Sequence, residues 1–293
     1  MGVVKNRPGL DAPDRLSARY GGVPVIYVES EDDYYVFGEC WFKDRLSHVE
    51  FIPAARQCGF SGCSAVVAAV ADARSAGNSA WGIVDRDTVM SENLWHLVDE
   101  TNDAIYECAK PFGTEIKALC RWEMENYLAD GNAMEKCRAE IKSQPPRLSV
   151  TVYDELLNHC QALIPHAAMN AVCHLHRVEG LKDGYVKQKH LSTREDVDAE
   201  IRAGKLTRLP SSAAADYAQQ TAHVDAFDLP GETPRARVNA LLRRVHGKAL
   251  LARFAAMHSI SIDLKGLLAN RIREMALVPA ELASFVDEVA TGG

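Results

Sequence analysis

The sequence predicts an α/β fold, a doubly wound parallel-sheet core followed by a largely helical C-terminal region, on three observations. Apolar runs and amphipathic segments alternate through the first 130 or so residues, the pattern of strands joined by crossover helices. Two of the runs, VPVIYV (Val23 to Val28) and AWGIVD (Ala80 to Asp85), are apolar without alternation, as strands covered on both faces are. Beyond about Asp130 strand-like runs nearly vanish, and Ala, Leu and charged residues recur at helical spacing.

Taken in order, residues 1–22 carry Pro8, Pro13 and Gly21-Gly22 and read as an arm leading to the first strand, Val23 to Val28. A helix is expected over DDYYVFGECWFKDRL, a short strand at VEFIPA (Val49 to Ala54), and a helix over Ser64 to Gly77. The strand AWGIVD follows, then a polar loop and helix through SENLWHLVDE. A further strand is expected near AIYECA or EIKALC. The core is bounded at residues 23–130 and the helical region at 131–293, with breaks near Pro145-Pro146, Gly180 to Gly184 and LPGETP.

The chain has 293 residues, a formal charge of −7 and an ordinary globular composition, 47% hydrophobic and 25% charged. It has no run of about eighteen apolar residues and no secretory h-region at its start, so a cytoplasmic protein without membrane attachment is expected. The eight cysteines are scattered without a C-x-x-C pair, which favours reduced and mostly buried thiols. An acidic chain does not bind nucleic acid through bulk positive charge, although metal ions can neutralise an acidic centre locally. No phosphate-binding loop of the G-x-x-x-x-G-K-[ST] type is present, because HGKAL lacks the upstream glycine and the hydroxyl after lysine.

Both buried strands run into carboxylates, VESEDD ending the first and DRD the next of the pair. Ligands of parallel α/β sheets bind outside the carboxyl ends of the strands, which places Glu29 and Asp85 at such ends. Residues two apart on extended chain point the same way, so Asp85 and Asp87 are expected to face the crevice with Arg86 aside. With a helix opening near Ser30, Asp33 falls in its first turn while Glu31 and Asp32 lie nearer solvent. Gathering such groups costs several kcal/mol unless a divalent cation removes the repulsion, and all-oxygen donors favour Mg²⁺ or Mn²⁺. The plainer expectation for ESEDD is a helix N-terminus whose acids suit the dipole.

These stretches resemble a known family. VESEDD is similar to the V-E-G-x-x-D signature of Toprim domains, with Ser30 in place of glycine, and DRD to their D-x-D. RWEMENYLAD (Arg121 to Asp130) resembles the R-x-E-x-E-N-Y-L segment of the OLD-like Toprim nucleases. Size, motifs and helical tail together are similar to the Toprim effector nucleases of PARIS anti-phage defence systems. The resemblance implies a Toprim catalytic core and an Mg²⁺- or Mn²⁺-dependent endonuclease. Metal would be held by Glu29, Asp33, Asp85, Asp87, Glu123 and Glu125. It also implies an AAA-type ATPase partner that holds the effector until phage is sensed, a nucleic acid substrate (host tRNA first, DNA next), and a homodimer when active. Positions two apart on a helix diverge by about 200°, so only one of Glu123 and Glu125 is expected to reach metal, with Glu123 favoured.

Between Pro234 and Ser261 stand six basic residues, Arg235, Arg237, Arg243, Arg244, Lys248 and Arg253, and no acid. They could meet substrate phosphates, Arg243 and Arg244 among them, or complement acidic neighbours on a helix face. GKALL also resembles a Gly-Lys segment of the OLD-like enzymes, which makes Lys248 a candidate to stabilise charge on the reacting phosphate. GLKDGYVKQKH joins Lys182, Lys187 and Lys189 with Tyr185, suiting looped or single-stranded RNA, with Lys187 and Lys189 as its candidate contacts. His174 and His176 face nearly opposite ways on a helix and are expected to pack rather than bind metal. The other expectation is a regulated, non-catalytic binding subunit docked to an ATPase.

Overall fold

The computed structural model describes residues 22–187 and 190–292, so the N-terminal arm lies outside them except for Gly22. Four strands, β1 (Val25–Val28), β2 (Glu50–Pro53), β3 (Ala80–Val84) and β4 (Ile116–Ala118), form one parallel sheet in the order β2-β1-β3-β4. The helices are α1 (Glu31–Tyr34), α2 (Ala55–Cys58), α3 (Cys63–Ser75), α4 (Thr88–Ser91), α5 (Trp95–Val98), α6 (Asp103–Ala109), α7 (Met124–Leu128) and α8 (Gly131–Lys142). There follow α9 (Ser149–Ala162), α10 (Ile164–Leu175), α11 (Arg194–Ala203), α12 (Ala213–Asp225), α13 (Pro234–Leu241), α14 (Gly247–Met257), α15 (Lys265–Glu274) and α16 (Ala280–Ala290). The α/β class and the helical C-terminal region match the expectation.

The chain divides into two compact units, one of Met1–Val84, Phe112–Lys117 and Val278–Gly293, the other of Asp85–Pro111 and Ala118–Leu277. This does not follow a cut at residue 130. Composition marks where strands stop, but it cannot say which later helix returns to the sheet. Here α16 does so, through Asp287 on Arg45 at 3.0 Å and Glu281 on Lys117 at 3.9 Å.

In the first unit β1 is central, pairing Val25 with Glu50 of β2 and with Ala80 of β3. Its Ile26 and Val28 are fully buried, as a strand covered on both faces requires. Helix α3 buries Ala65, Val66, Ala69, Val70 and Ala73. A Cβ on Gly82 of β3 would lie 2.5 Å from Val66 Cγ1, so a residue without a side chain is what lets helix and strand approach. The helix expected over Asp32 to Leu46 is broken: after α1 comes a π-helical stretch, Tyr35–Trp41, and a 3-10 turn, Lys43–Arg45. The wider π turn, closed by the Phe42 N–H on the Phe37 carbonyl, carries Phe37, Trp41 and Phe42 all inward. Phe42 stacks on Phe51 of β2 with ring centres 6.0 Å apart. Of the two segments considered for a last strand, EIKALC holds β4 and AIYECA is α6.

The second unit is helical. Its α8 carries Glu135, buried between Arg138 and Arg147 at 2.7 Å each, which ties that helix to the segment leading into α9. Cys40, Cys120, Cys137, Cys160 and Cys173 are buried, Cys58 and Cys63 partly so and Cys108 exposed, and all eight are free thiols. Among the described residues no helix is long and apolar enough to cross a membrane.

Candidate functional site

Glu29 follows β1 directly and is half-buried beside Gly62, where a Cβ would lie 4.0 Å from its Oε2. Ser30 has extended backbone, φ −138, so the position that is glycine in the resembled signature needs no glycine here. Instead the serine caps α1: its Oγ accepts from the Asp33 N–H at 3.1 Å, and Asp33 Oδ2 accepts in return from the Ser30 N–H at 2.9 Å. Asp33 is thus buried as half of a capping box, while Glu31 and Asp32 are exposed as expected.

The second unit gathers the other acids. Asp85 follows β3 and accepts the Met124 N–H on Oδ1 at 2.9 Å, which fastens the D-x-D loop to the start of α7. The loop is not extended. Asp87 has helical backbone, φ −59 and ψ −20, and opens α4. Arg86 between them is fully buried, stacked 4.1 Å from the Tyr106 ring centre and donating to the Cys120 and Leu97 carbonyls at 2.9 Å each. It does point aside, as expected, and it clamps the loop.

Glu123 is not on a helix face but is the extended N-cap of α7, φ −140, with its N–H donated to Asn126 Oδ1 at 2.9 Å. Helical geometry therefore does not force it away from Glu125, and both come to one ammonium. Lys248 Nζ lies 3.9 Å from Glu123 Oε2 and 3.7 Å from Glu125 Oε2. The approach depends on Gly247, where a Cβ would fall 2.6 Å from both the Asn126 nitrogen and its Oδ1. Gly247 and Lys248 begin the eleven-residue α14, and the Lys248 N–H donates to Glu123 Oε2 at 3.1 Å, so this carboxylate sits at the positive end of a helix dipole. The other Glu125 oxygen faces Lys265 Nζ at 3.1 Å. With an ammonium on each oxygen and almost no exposure, Glu125 is placed to anchor lysines.

The charges explain one another. Burial works to lower the Lys248 pKa, but Glu123, Glu125, Asp85 and Asp87 together overcome it and raise it, so the ammonium is fixed in charge. Burial likewise opposes the Glu123 carboxylate, yet the His246 and Lys248 contacts hold it at about 2. Asp87 goes the other way, pushed up to about 6 by burial first and then by Glu123. A divalent cation with oxygen ligands beside Asp87 would offset that cost of holding its charge. Asp85, Asp87 and Glu123 are the carboxylates of this field, although among the described residues the groups whose ligand atoms all lie within 4.8 Å of one another are found elsewhere. Asp183, which opens the 3-10 turn Asp183–Lys187, is raised by burial and then by Glu123, so it too lies within reach of this field.

Two of the six basic residues are buried and two more are tied up in ion pairs, which corrects the reading of the run as a phosphate-binding face. Arg244 is fully buried 4.6 Å from the Trp122 ring centre and 3.9 Å from Asp99, its pKa lowered by burial to about 10, and cannot meet substrate. Arg243 is committed to Asp103 and to the Thr101 carbonyl at 3.0 Å. Arg237 pairs with Asp228 at 2.7 Å, and Arg253 is buried against the Leu191 and Ser192 carbonyls. The alternative of complementing acidic neighbours is what holds for Arg237, whose Asp228 is nearby in sequence, and for Arg243 and Arg244, whose Asp103 and Asp99 are far from them in sequence. Lys187 is exposed, whereas Lys189 lies outside the described residues. His174 packs on Trp95 at 5.9 Å and His176 pairs with Asp216 at 2.8 Å, as expected of non-ligands.

Sequence reasoning missed Lys265, Asp183 and His246. No motif marks the first two; the third stands beside the Gly-Lys pair that was noticed. A tight trio of potential ligand atoms occurs elsewhere in this unit, Glu155, His159 and His258. Arg253 Nε donates to His159 Nδ1 at 3.2 Å, so the ring carries its proton on Nε2, facing Glu155, and offers no lone pair there to a cation. With Arg147 also on Glu155 at 2.6 Å, the trio is a partly buried polar knot. No family model, curated protein or solved structure matches this chain.

Proposed function

We propose that this chain is a metal-dependent nuclease of the OLD-like Toprim kind, hydrolysing phosphodiester bonds with Mg²⁺ or Mn²⁺. The single observation that carries the reading is that Glu123 and Glu125 meet at Lys248 within the charge field of Asp85 and Asp87. Asp85, Asp87 and Glu123 would hold the cation, whose chemistry is Lewis acidity toward phosphate oxygen and activation of water. Lys248, 44% exposed in its side chain, would meet the phosphate and balance the charge gathering on it. Glu125 and Lys265 would keep that ammonium in place. Glu29 joins the proposal through the Toprim resemblance.

The same resemblance suggests an anti-phage effector that cleaves host tRNA once released from an AAA-type ATPase, active as a homodimer; DNA nicking is the other substrate outcome. A second reading has its own support: two ammonium groups already compensate these acids without any metal, as in a non-catalytic binding subunit. Ends mapped on total tRNA and plasmid DNA after incubation with Mg²⁺ or Mn²⁺ decide between them. Cutting by wild type, lost in Asp85→Ala and Glu29→Ala at unchanged fold, is expected. Equal ends from wild type and Asp85→Ala, or no cutting after release from an ATPase, would overturn the nuclease reading in favour of the binding one.

A further inference from the structure

Behind Glu123 stands a hydrogen-bonded relay that begins at the backbone. The Leu181 N–H donates to Asn170 Oδ1 at 2.6 Å, and Asn170 Nδ2 reaches back to the Leu181 carbonyl at 3.4 Å. This pair of contacts admits only one orientation of the carboxamide, because a flipped amide would set donor against donor and acceptor against acceptor. Nδ2 then also points at His246 Nε2, 3.3 Å away. An NH₂ group has nothing to accept with, so Nε2 must be the accepting nitrogen and the ring proton lies on Nδ1. His246 Nδ1 in turn lies 3.3 Å from Glu123 Oε1.

We propose that Asn170 is a positioning residue which, through His246, presents Glu123 to a divalent cation as a carboxylate with one oxygen already hydrogen-bonded. The inference rests on Glu123 as a metal ligand for its consequence, though not for its geometry. The surroundings are built to hold the relay still. A Cβ at Gly180 would come within 2.8 Å of Asn170 Oδ1, so the bare glycine leaves the amide its place. The His246 ring is flanked by Trp122 at 5.7 Å and by His166, edge-on at 5.2 Å and 88°. His166 is fully buried, so it sets the plane of its neighbour by packing. Both Glu123 oxygens are thereby oriented from the protein side, Oε2 by the Lys248 N–H and ammonium and Oε1 by His246, which leaves Oε1 a second lone-pair direction for a cation. Outer contacts of this sort orient ligating groups and tune their basicity.

The experiment is histidine-selective ¹⁵N NMR on the whole chain at pH 8, with His246 assigned by its loss in His246→Asn, beside Mn²⁺ titration by calorimetry. Wild type should show a protonated Nδ1 and a bare Nε2 at His246 before any metal is added. In Asn170→Asp the oxygen replacing Nδ2 accepts, so Nε2 should gain a proton, and Mn²⁺ affinity should fall about ten- to a hundredfold. A protonated Nε2 in wild type, or a tautomer and an affinity that Asn170→Asp leaves alone, would overturn the proposal. The wild-type spectrum decides the tautomer even if the variant does not fold. Absence of Mn²⁺ binding alongside the stated tautomer would defeat the metal reading separately, and with it the role for Asn170 in presenting a ligand.

Discussion

Arg86, the middle residue of the D-x-D motif, has no chemistry in the site, yet its guanidinium ties two segments together by three carbonyls: Cys120 before α7, and Leu97 in α5 with Glu100 just after it. Arg244 does comparable work against Trp122 and Asp99. Both are charged residues whose environment, rather than type, decides their use. Arg244→Ala should therefore lower stability by more than about 2 kcal/mol, by leaving an internal cavity beside Trp122 and removing the guanidinium from Asp99 Oδ1, and leave nucleic acid affinity untouched in the folded fraction. Urea unfolding beside a tRNA-binding titration separates the two, and lost affinity at full fold would restore it to the phosphate-binding set. Lys248→Met should cut turnover of the folded fraction about a hundredfold or more and lower stability as well, since it takes an ammonium from the buried Glu123 and Glu125. At this scale the sequence was readable where a motif names an atom's neighbours, as for Asp85 and Lys248. It was unreadable where exposure depends on distant chain, as for Arg243 and Asp103, 140 positions apart.

Helices meet the sheet, and one another, at glycines. Gly82 admits α3 to β3 and Gly247 admits α14 to α7, and in both places the Cβ of alanine would be closer than any packed carbon tolerates. Gly82→Ala should cost about 2 kcal/mol by overpacking, with little effect on the carboxylate cluster of the second unit. Gly247→Ala should lower stability and also abolish metal-dependent cutting, because it must push the Lys248 N–H off Glu123; circular dichroism melts beside cleavage assays test the difference. Elements with a strong local signature, β1, β3 and the long helices of the second half, were legible because periodicity and β-branched runs are local properties. The π turn after α1 was not, since an inserted residue in a helix answers to Phe51 and the core, not to its own neighbours. Nor was the convergence of Glu123 and Glu125 legible: it hinges on one extended residue at a helix boundary, where sequence patterns are least decisive.

The whole molecule is acidic, and this makes its response to acid and to metal opposite tests of the same charges. Glu135 is buried and burial opposes its charge, but hydrogen bonds from Arg138 and Arg147 hold its carboxyl at about 2, below its ordinary 4.5. A carboxylate with a depressed folded pKa contributes stability in full above the unfolded value, and the contribution drains away as pH falls from about 4.5 toward 2. Glu135→Ala should thus cost about 3 kcal/mol at pH 7 and flatten the loss of stability in that window, which denaturant titrations at a series of pH values would read. Metal works from the other side. A chain of net charge −7 repels a polyanion, so bulk attraction cannot bring tRNA to the Asp85, Asp87 and Glu123 cluster. If a divalent cation both fills that cluster and bridges to phosphate, RNA binding itself must require the cation. Fluorescent tRNA should show no saturable binding in EDTA, bind in Ca²⁺ or Mn²⁺, and fail again with Asp87→Asn in the presence of metal. Equal affinity in EDTA would mean that RNA is held by a surface other than this cluster, and the acids would then serve their lysines alone.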